Sequence, residues 1–524
     1  MSARRNLAVS GALAGGFSSI LGLADWLRRR TLRAAHRPAL TCDDVTWTYG
    51  ELWDRIERLS AVLAAQGVKQ GDRVGYLGFD DPMFLVCQFA TARLGAIFVP
   101  LNFRLTGPEL AFIINDAGLH LLLAGPEHQG IIDGVRRDIS CSRFLSASRD
   151  AEGWPSALAL MVDCGSIPAQ VKTEPEDVAA LMYTSGTTGH PKGAMLTHHN
   201  FWSQNLNVLL TKDLTSDDVT LGFVPLFHVG GMLTVTLPTL LAGGHVILLR
   251  GFDAGAVLNA IARYRVSLTF AVPAMLLFMS QHPDFESADL SSLRLMSVGG
   301  APMPEPLLRV YQARSIPLHQ GYGMTETSAT ISFLHSGRAA DKLGSCGTPG
   351  MLTDICLKDG AGQRITQAHA KGEICVRSSN VMKGYWNNPA ASAAAFDEEG
   401  WFRTGDVGYV DDEGFLYLCD RIRDVIITGG ENVYPAEVES VLYEYPAVAQ
   451  CAVVGAPDEK WGERVVAVVV PKSNASVTLE ELRNFAETKL ARYKLPRELL
   501  LLENLPRNAA GKVLKASIRE QLRQ

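Results

Sequence analysis

No two cysteines in this chain stand at C-x-x-C spacing; nine of them are scattered between Cys42 and Cys451. That scatter argues against a disulfide framework or a zinc site and suits a reducing cytoplasm. Excess basic charge is missing too. The 49 Lys and Arg against 55 Asp and Glu leave a net charge of −6, without the electrostatic footprint of a nucleic-acid-binding protein. No run of eighteen apolar residues exists to make a membrane-spanning helix, and no internal repeat points to a solenoid. What is present is an ordinary globular composition, 47% hydrophobic and 20% charged. A length of 524 residues exceeds one ordinary core, so two or more domains are expected.

The N-terminus has weak signal-peptide character: Arg4 and Arg5 precede a mildly apolar run from Leu7 to Phe17. The run is short, rich in Gly, Ala and Ser, and ends without a cleavage site. Residues 1–20 are therefore read as a flexible extension.

From Trp47 the chain alternates helical and strand patterns. Thr48-Tyr49-Gly50-Glu51 opens an amphipathic helix through Leu52, Ile56, Leu59, Val62 and Leu63. A strand at Val74–Leu77, a helix at Phe84–Leu94 and a strand at Ala96–Pro100 follow, a spacing that implies parallel pairing and an α/β layer fold. Further strands read at 119–124, 246–249, 268–270 and 295–298.

One stretch organises the rest. After the apolar strand Val178–Tyr183 come Thr184-Ser185-Gly186-Thr187-Thr188-Gly189-His190-Pro191-Lys192-Gly193. Glycines let backbone N–H groups approach an anion, hydroxyls add neutral donors, and Lys192 adds positive charge. The loop is built for a polyphosphate. Yet Pro191 stands where the common phosphate loop has glycine and biases His190 toward extended backbone, so no helix is expected to start there.

Three other clusters carry chemistry. Gln320-Gly321-Tyr322-Gly323-Met324-Thr325-Glu326-Thr327 offers a ring for a nucleobase, a hydroxyl for a phosphate and a carboxylate of the kind that holds magnesium. Ser297-Val298-Gly299-Gly300-Ala301-Pro302 ends a strand in small residues that let a flat ring lie against backbone. His228, between an apolar strand and Gly230-Gly231, reads as functional rather than as core.

The order Thr184 to Lys192 resembles the signature of the adenylate-forming enzymes, which include acyl-CoA synthetases, 4-coumarate-CoA ligases, luciferases and peptide-synthetase adenylation domains. The resemblance runs from about residue 25 to about 518. It implies a large N-terminal domain of mixed α/β layers (21–421) and a small, mobile C-terminal α+β domain (422–524). By this resemblance Thr184, Ser185, Gly186, Thr187, Thr188, Gly189 and Lys192 hold the ATP phosphates, and Gly300, Ala301 and Pro302 form the adenine pocket with Gly321, Tyr322, Gly323 and Met324. Thr325 contacts the α-phosphate, Glu326 and Thr188 hold Mg²⁺, and His228 lines the way to the carboxylate. Asp406 and Arg421 hold the ribose, Arg421 reaching phosphate also. Lys512 is the catalytic lysine of adenylation, and Gly429 and Gly430 belong to the face presented to coenzyme A after a swing about Arg423. Arg423 stands where relatives carry Asp or Lys.

The implied reaction activates a carboxylic acid with ATP and passes the acyl group to coenzyme A. The implied partners are small molecules and, at most, a second copy of the chain as a homodimer. A peptide-synthetase domain would carry an aspartate soon after Phe227, where Val229-Gly230-Gly231 stands, and a carrier domain beyond Lys512. A luciferase would need oxygen chemistry, and the ending Gln521 to Gln524 lacks a peroxisomal address. A binding-only protein need not keep Lys512, Glu326 and Asp406. The acyl pocket, expected along 228–232, 298–302 and 323–330, contains no arginine or lysine, which disfavours a dicarboxylate. A medium- or long-chain fatty acid is the expected substrate, with a 4-coumarate-like aryl acid as the alternative.

Overall fold

The computed structural model describes residues 22–184, 191–301, 303–428, 431–473, 475–507 and 513–522. The extension read at residues 1–20 lies outside them. Among the described residues the strands form sheets of six, fourteen and five.

The six-stranded sheet carries the phosphate-loop motif. Arg73–Leu77, Ile97–Leu101, Leu121–Ala124, Phe144–Ser146 and Val178–Thr184 run parallel. Their crossovers are helices such as Pro82–Arg93, buried from Met83 to Arg93. Nearly continuous apolar strands are what a sheet covered on both faces requires. Lys192–Thr197 then returns antiparallel to Val178–Thr184, with Thr184 opposite Lys192. No helix follows Lys192, as Pro191 implied.

In the fourteen-stranded sheet six strands are parallel: Pro38–Cys42, His245–Leu248, Val219–Gly222, Leu268–Ala271, Leu295–Val298 and Leu318–Tyr322. An antiparallel extension runs from Ser332–Leu334 through Ser345–Pro349, Leu416–Arg421 and Phe402–Val410 to the edge strand Arg364–Ile365. This extension was not read from the sequence. Most of its strands are partly exposed, and Ser345–Pro349 pairs with Leu416–Arg421 about seventy residues away.

The five-stranded sheet begins at Ile426–Thr428 and is centred on the hairpin of Val448–Asp458 and Gly462–Pro471. Two helices open on the S/T-x-x-E pattern of a capping box. Thr48 and Glu51, and likewise Thr478 and Glu481, form reciprocal capping boxes that satisfy the first free N–H groups of their helices. Between Arg421 and Ile426 the chain makes one short turn, Ile422–Asp424. There the Asp424 carboxylate accepts from Arg519 at 2.6 Å, and Asp420 accepts the Ala436 N–H at 2.8 Å.

Candidate active site

The ends of the parallel strands Leu295–Val298 and Leu318–Tyr322 open onto a cavity of about 290 Å³. Open α/β sheets bind ligands at this edge, beyond the carboxyl ends of their strands. Thr184, Gly300, Gly321, Gly323, Met324, Thr325, Glu326 and Arg421 all line the cavity, so motifs up to 237 residues apart in sequence meet in one place. Gly300 turns the chain with φ +82°, a conformation that disfavours side chains. At Gly323 a Cβ would sit 2.1 Å from the Ala329 carbonyl oxygen, so only glycine lets these two backbones pass.

Glu326 sits in the turn Thr325–Thr327, 8% exposed. The Tyr385 hydroxyl donates to its Oε1 at 2.9 Å, and the Met382 N–H donates to its backbone carbonyl at 2.7 Å. The Lys192 ammonium stands 5.4 Å from the centre of the Tyr385 ring. Tyr385 thus bridges the phosphate hairpin to the carboxylate, and burial together with the Glu326 charge holds its phenol protonated, far above its ordinary range. It was not singled out in the sequence because it lies 59 residues beyond Glu326 on another strand connection.

Tyr322 is buried, 7% exposed, and its hydroxyl donates to Asp406 Oδ2 at 2.7 Å. Burial, then the neighbouring Asp406 charge, raises the Tyr322 phenol well above its usual value, so it stays a donor. Asp406 pairs directly across the sheet with Arg421, whose Nε lies 3.0 Å from Asp406 Oδ1. One carboxylate therefore has both oxygens fixed by neighbours from two other strands. Ala301 is exposed just past Gly300.

Behind Glu326 a buried amide locks the loop. Asn380, fully buried, donates through Nδ2 to Gln204 Oε1 and to the Thr327 and Thr330 carbonyls at 2.8–2.9 Å. Those bonds hold Ser328 and Ala329 at φ +50° and +93°.

His228 is half-buried, but its Nε2 is shielded from solvent and has no hydrogen-bond partner among the described residues. Burial lowers its imidazole to about 4, keeping it neutral. The cavity wall itself is formed by the next two residues, Val229 and Gly230.

The segments 228–232, 298–302 and 323–330 hold no lysine or arginine, but other segments bring such residues to the cavity. Lys212, Arg421 and Arg423 line it. Lys212 ends the helix His198–Lys212, a position that reads in sequence as a solvated cation favoured by the helix dipole. The wide π-type turn Met232–Thr236 packs over that end and draws the side chain inward.

Ser185, Gly186, Thr187, Thr188, Gly189, Pro302, Gly429, Gly430 and Lys512, expected at the site from the sequence, lie outside the described residues.

Comparison with known proteins agrees with this geometry. The family model described as AMP-binding enzyme matches residues 27–386, and that of the AMP-binding enzyme C-terminal domain matches 437–512. A feruloyl-CoA synthase from Amycolatopsis sp is 44% identical over 506 residues, covering 95% of this chain and 99% of that protein. An indoleacetate–CoA ligase from Aromatoleum aromaticum and the long-chain-fatty-acid–CoA ligase FadD13 of Mycobacterium tuberculosis are each 40% identical, over 95% of this chain and 98% of theirs. Among solved structures, the o-succinylbenzoate coenzyme A synthetase of Bacillus subtilis in complex with ATP and magnesium superposes with a TM-score of 0.84. It is 34% identical, over 95% of this chain and 99% of that one. The chain belongs to the AMP-binding enzymes, on the acyl-CoA-synthetase side of the adenylate-forming superfamily.

Proposed function

We propose that the chain is an AMP-forming acid–thiol ligase acting on an aryl carboxylic acid, with ATP, Mg²⁺ and coenzyme A. The sequence pointed first to a fatty acid. The relatives favour its aryl alternative, since feruloyl-CoA synthase and indoleacetate–CoA ligase are among the nearest, with a fatty-acid ligase also at 40%. The observation that carries the reading is the convergence of Thr184, Thr325, Glu326 and Arg421 on one cavity whose far wall is polar. A buried amine there would be left dry by an alkyl terminus, which is costly.

In this reading the acid's carboxylate attacks the α-phosphorus of ATP and pyrophosphate leaves, giving an acyl-adenylate. Arg421 and Thr325 stabilise charge on the phosphorus oxygens, so that catalysis is mainly positioning and electrostatics. Asp406, held by Tyr322 and Arg421, accepts the ribose hydroxyls. Glu326 fits a magnesium ligand: it lines the cavity, and its only side-chain hydrogen bond among the described residues is to Tyr385. The ion supplies charge neutralisation for the phosphates. Thr184 and Lys192 bracket the phosphate loop, and Lys512 serves adenylation. The second step is attack of the coenzyme A thiolate on the acyl carbonyl, with AMP leaving. It follows a swing of residues 422–524 about Arg423 that brings the Gly429-Gly430 face to the site.

The test separates the two steps. With ATP and 4-coumarate alone, a stoichiometric burst of pyrophosphate is expected; adding coenzyme A gives continuous AMP and 4-coumaroyl-CoA. Nucleotide binding with no pyrophosphate from any of acetate, octanoate, palmitate, benzoate or 4-coumarate would refute the ligase assignment.

A further inference from the structure

Lys212 is 2% exposed, and among the described residues it makes no ion pair. Its ammonium nitrogen donates to the Thr234 carbonyl at 2.9 Å, within the Met232–Thr236 turn, and lies 5.9 Å from the centre of the Phe333 ring. One acceptor leaves an amine with unused capacity.

Strand register shows where in the cavity this wall lies. Phe270, Ser297 and His319 form one row across three parallel strands. Ser297 and His319 stand two residues before Gly299 and Gly321, on the same face, so they sit roughly 6–7 Å deeper than the strand ends. Thr325, Glu326 and Arg421 mark the shallow, phosphate end. Ser297, His319, Thr234 and Lys212 mark the deep end. The Ser297 hydroxyl is 3% exposed and has no hydrogen-bond partner in the described structure.

We propose that Lys212 and Ser297 form a recognition site for a hydroxyl on the aryl ring, at the end of the acyl group farthest from its carboxylate. This makes the substrate a hydroxyaryl acid, and it rests on the aryl-acid reading above. A phenol suits the amine in either protonation state, giving its hydrogen to a neutral amine or accepting one from an ammonium. Burial lowers the Lys212 amine to about 7, so both forms are present near neutrality. The other charged or titratable groups near this end are His319, kept neutral by burial with a value of about 3, His335, whose ring lies 4.5 Å from that of His319, and Arg294. The guanidinium of Arg294 holds the Lys212 carbonyl at 2.9 Å and is paired with Asp218 at 2.6 Å. A second carboxylate would instead place a full ion pair in a dry wall, which burial penalises.

The test is kcat/KM for acyl-CoA formation from 4-coumarate, cinnamate, 4-methoxycinnamate, 4-carboxycinnamate and octanoate. For the native enzyme 4-coumarate is expected to exceed cinnamate and 4-methoxycinnamate by roughly tenfold to a hundredfold, the worth of one or two buried hydrogen bonds. In Lys212→Met that ratio is expected to fall to about one to three, and in Ser297→Ala to fall less. Equal native rates on 4-coumarate and cinnamate, or an undiminished ratio in Lys212→Met, would overturn the assignment. So would a preference for 4-carboxycinnamate, which would make this a carboxylate site. A preference for octanoate over every aryl acid would remove the aryl reading itself, a result distinct from indifference to the ring hydroxyl. If Lys212→Met fails to fold, the native ladder of acids still decides.

Discussion

Replacing Lys212 by methionine should make the protein more stable at neutral pH, and the gain should vanish as pH rises. Burial takes this amine from an ordinary 10.5 to about 7. Between those values the unfolded chain holds the proton and the folded chain releases it, so stability rises with pH across the window and is flat below about 7. The whole displacement corresponds to roughly 4–5 kcal/mol. Methionine keeps the length of the side chain but gives up the bond to the Thr234 carbonyl, at about 1 kcal/mol. The net gain at pH 7 is then about 3 kcal/mol, falling through zero and reversing by about 1 kcal/mol near pH 10.5. His319, at about 3, is already neutral and does not titrate in this range. The assay is urea unfolding of both proteins at pH 7, 8, 9 and 10, read as the difference between them so that other groups cancel. A difference that stays constant with pH, or a variant less stable at every pH, would refute the picture of a buried amine without a carboxylate.

Two further perturbations address the nucleotide end. Asp406→Ala strips the partner from the Tyr322 hydroxyl and the Arg421 guanidinium, and is expected to raise KM for ATP at least tenfold, one charge-assisted bond being worth about 1.5–3 kcal/mol. Unchanged ATP dependence in initial-rate measurements would count against the ribose role. Tyr385→Phe removes the hydroxyl that holds Glu326 Oε1; the Mg²⁺ concentration for half-maximal AMP formation is expected to shift several-fold, with ATP binding in the absence of metal unaltered.

What the sequence made legible was local. The capping boxes at Thr48 and Thr478 are signalled by residues three apart. The phosphate hairpin, the Tyr322–Thr327 cluster and the parallel strands of the α/β layers are all signalled within about ten residues. Contacts between distant segments were not legible. Tyr385 reaches Glu326 across 59 residues, and Asn380 reaches Gln204 across 176. Lys212 was not singled out, for a physical reason. A lysine closing a helix is normally a solvated cation, and only the packing of the Met232–Thr236 turn over that helix end makes it part of a pocket. The three segments read from the sequence do not include Lys212, so they could not separate a fatty acid from an aryl one.

The most direct measurement of the central claim is a competition between 4-coumarate and palmitate at equal concentration, with ATP, Mg²⁺ and coenzyme A, and both acyl-CoA products quantified by mass. 4-Coumaroyl-CoA is expected in large excess, with AMP formed in equal amount to total thioester. Palmitoyl-CoA as the major product, or ATP consumed without AMP, would contradict it.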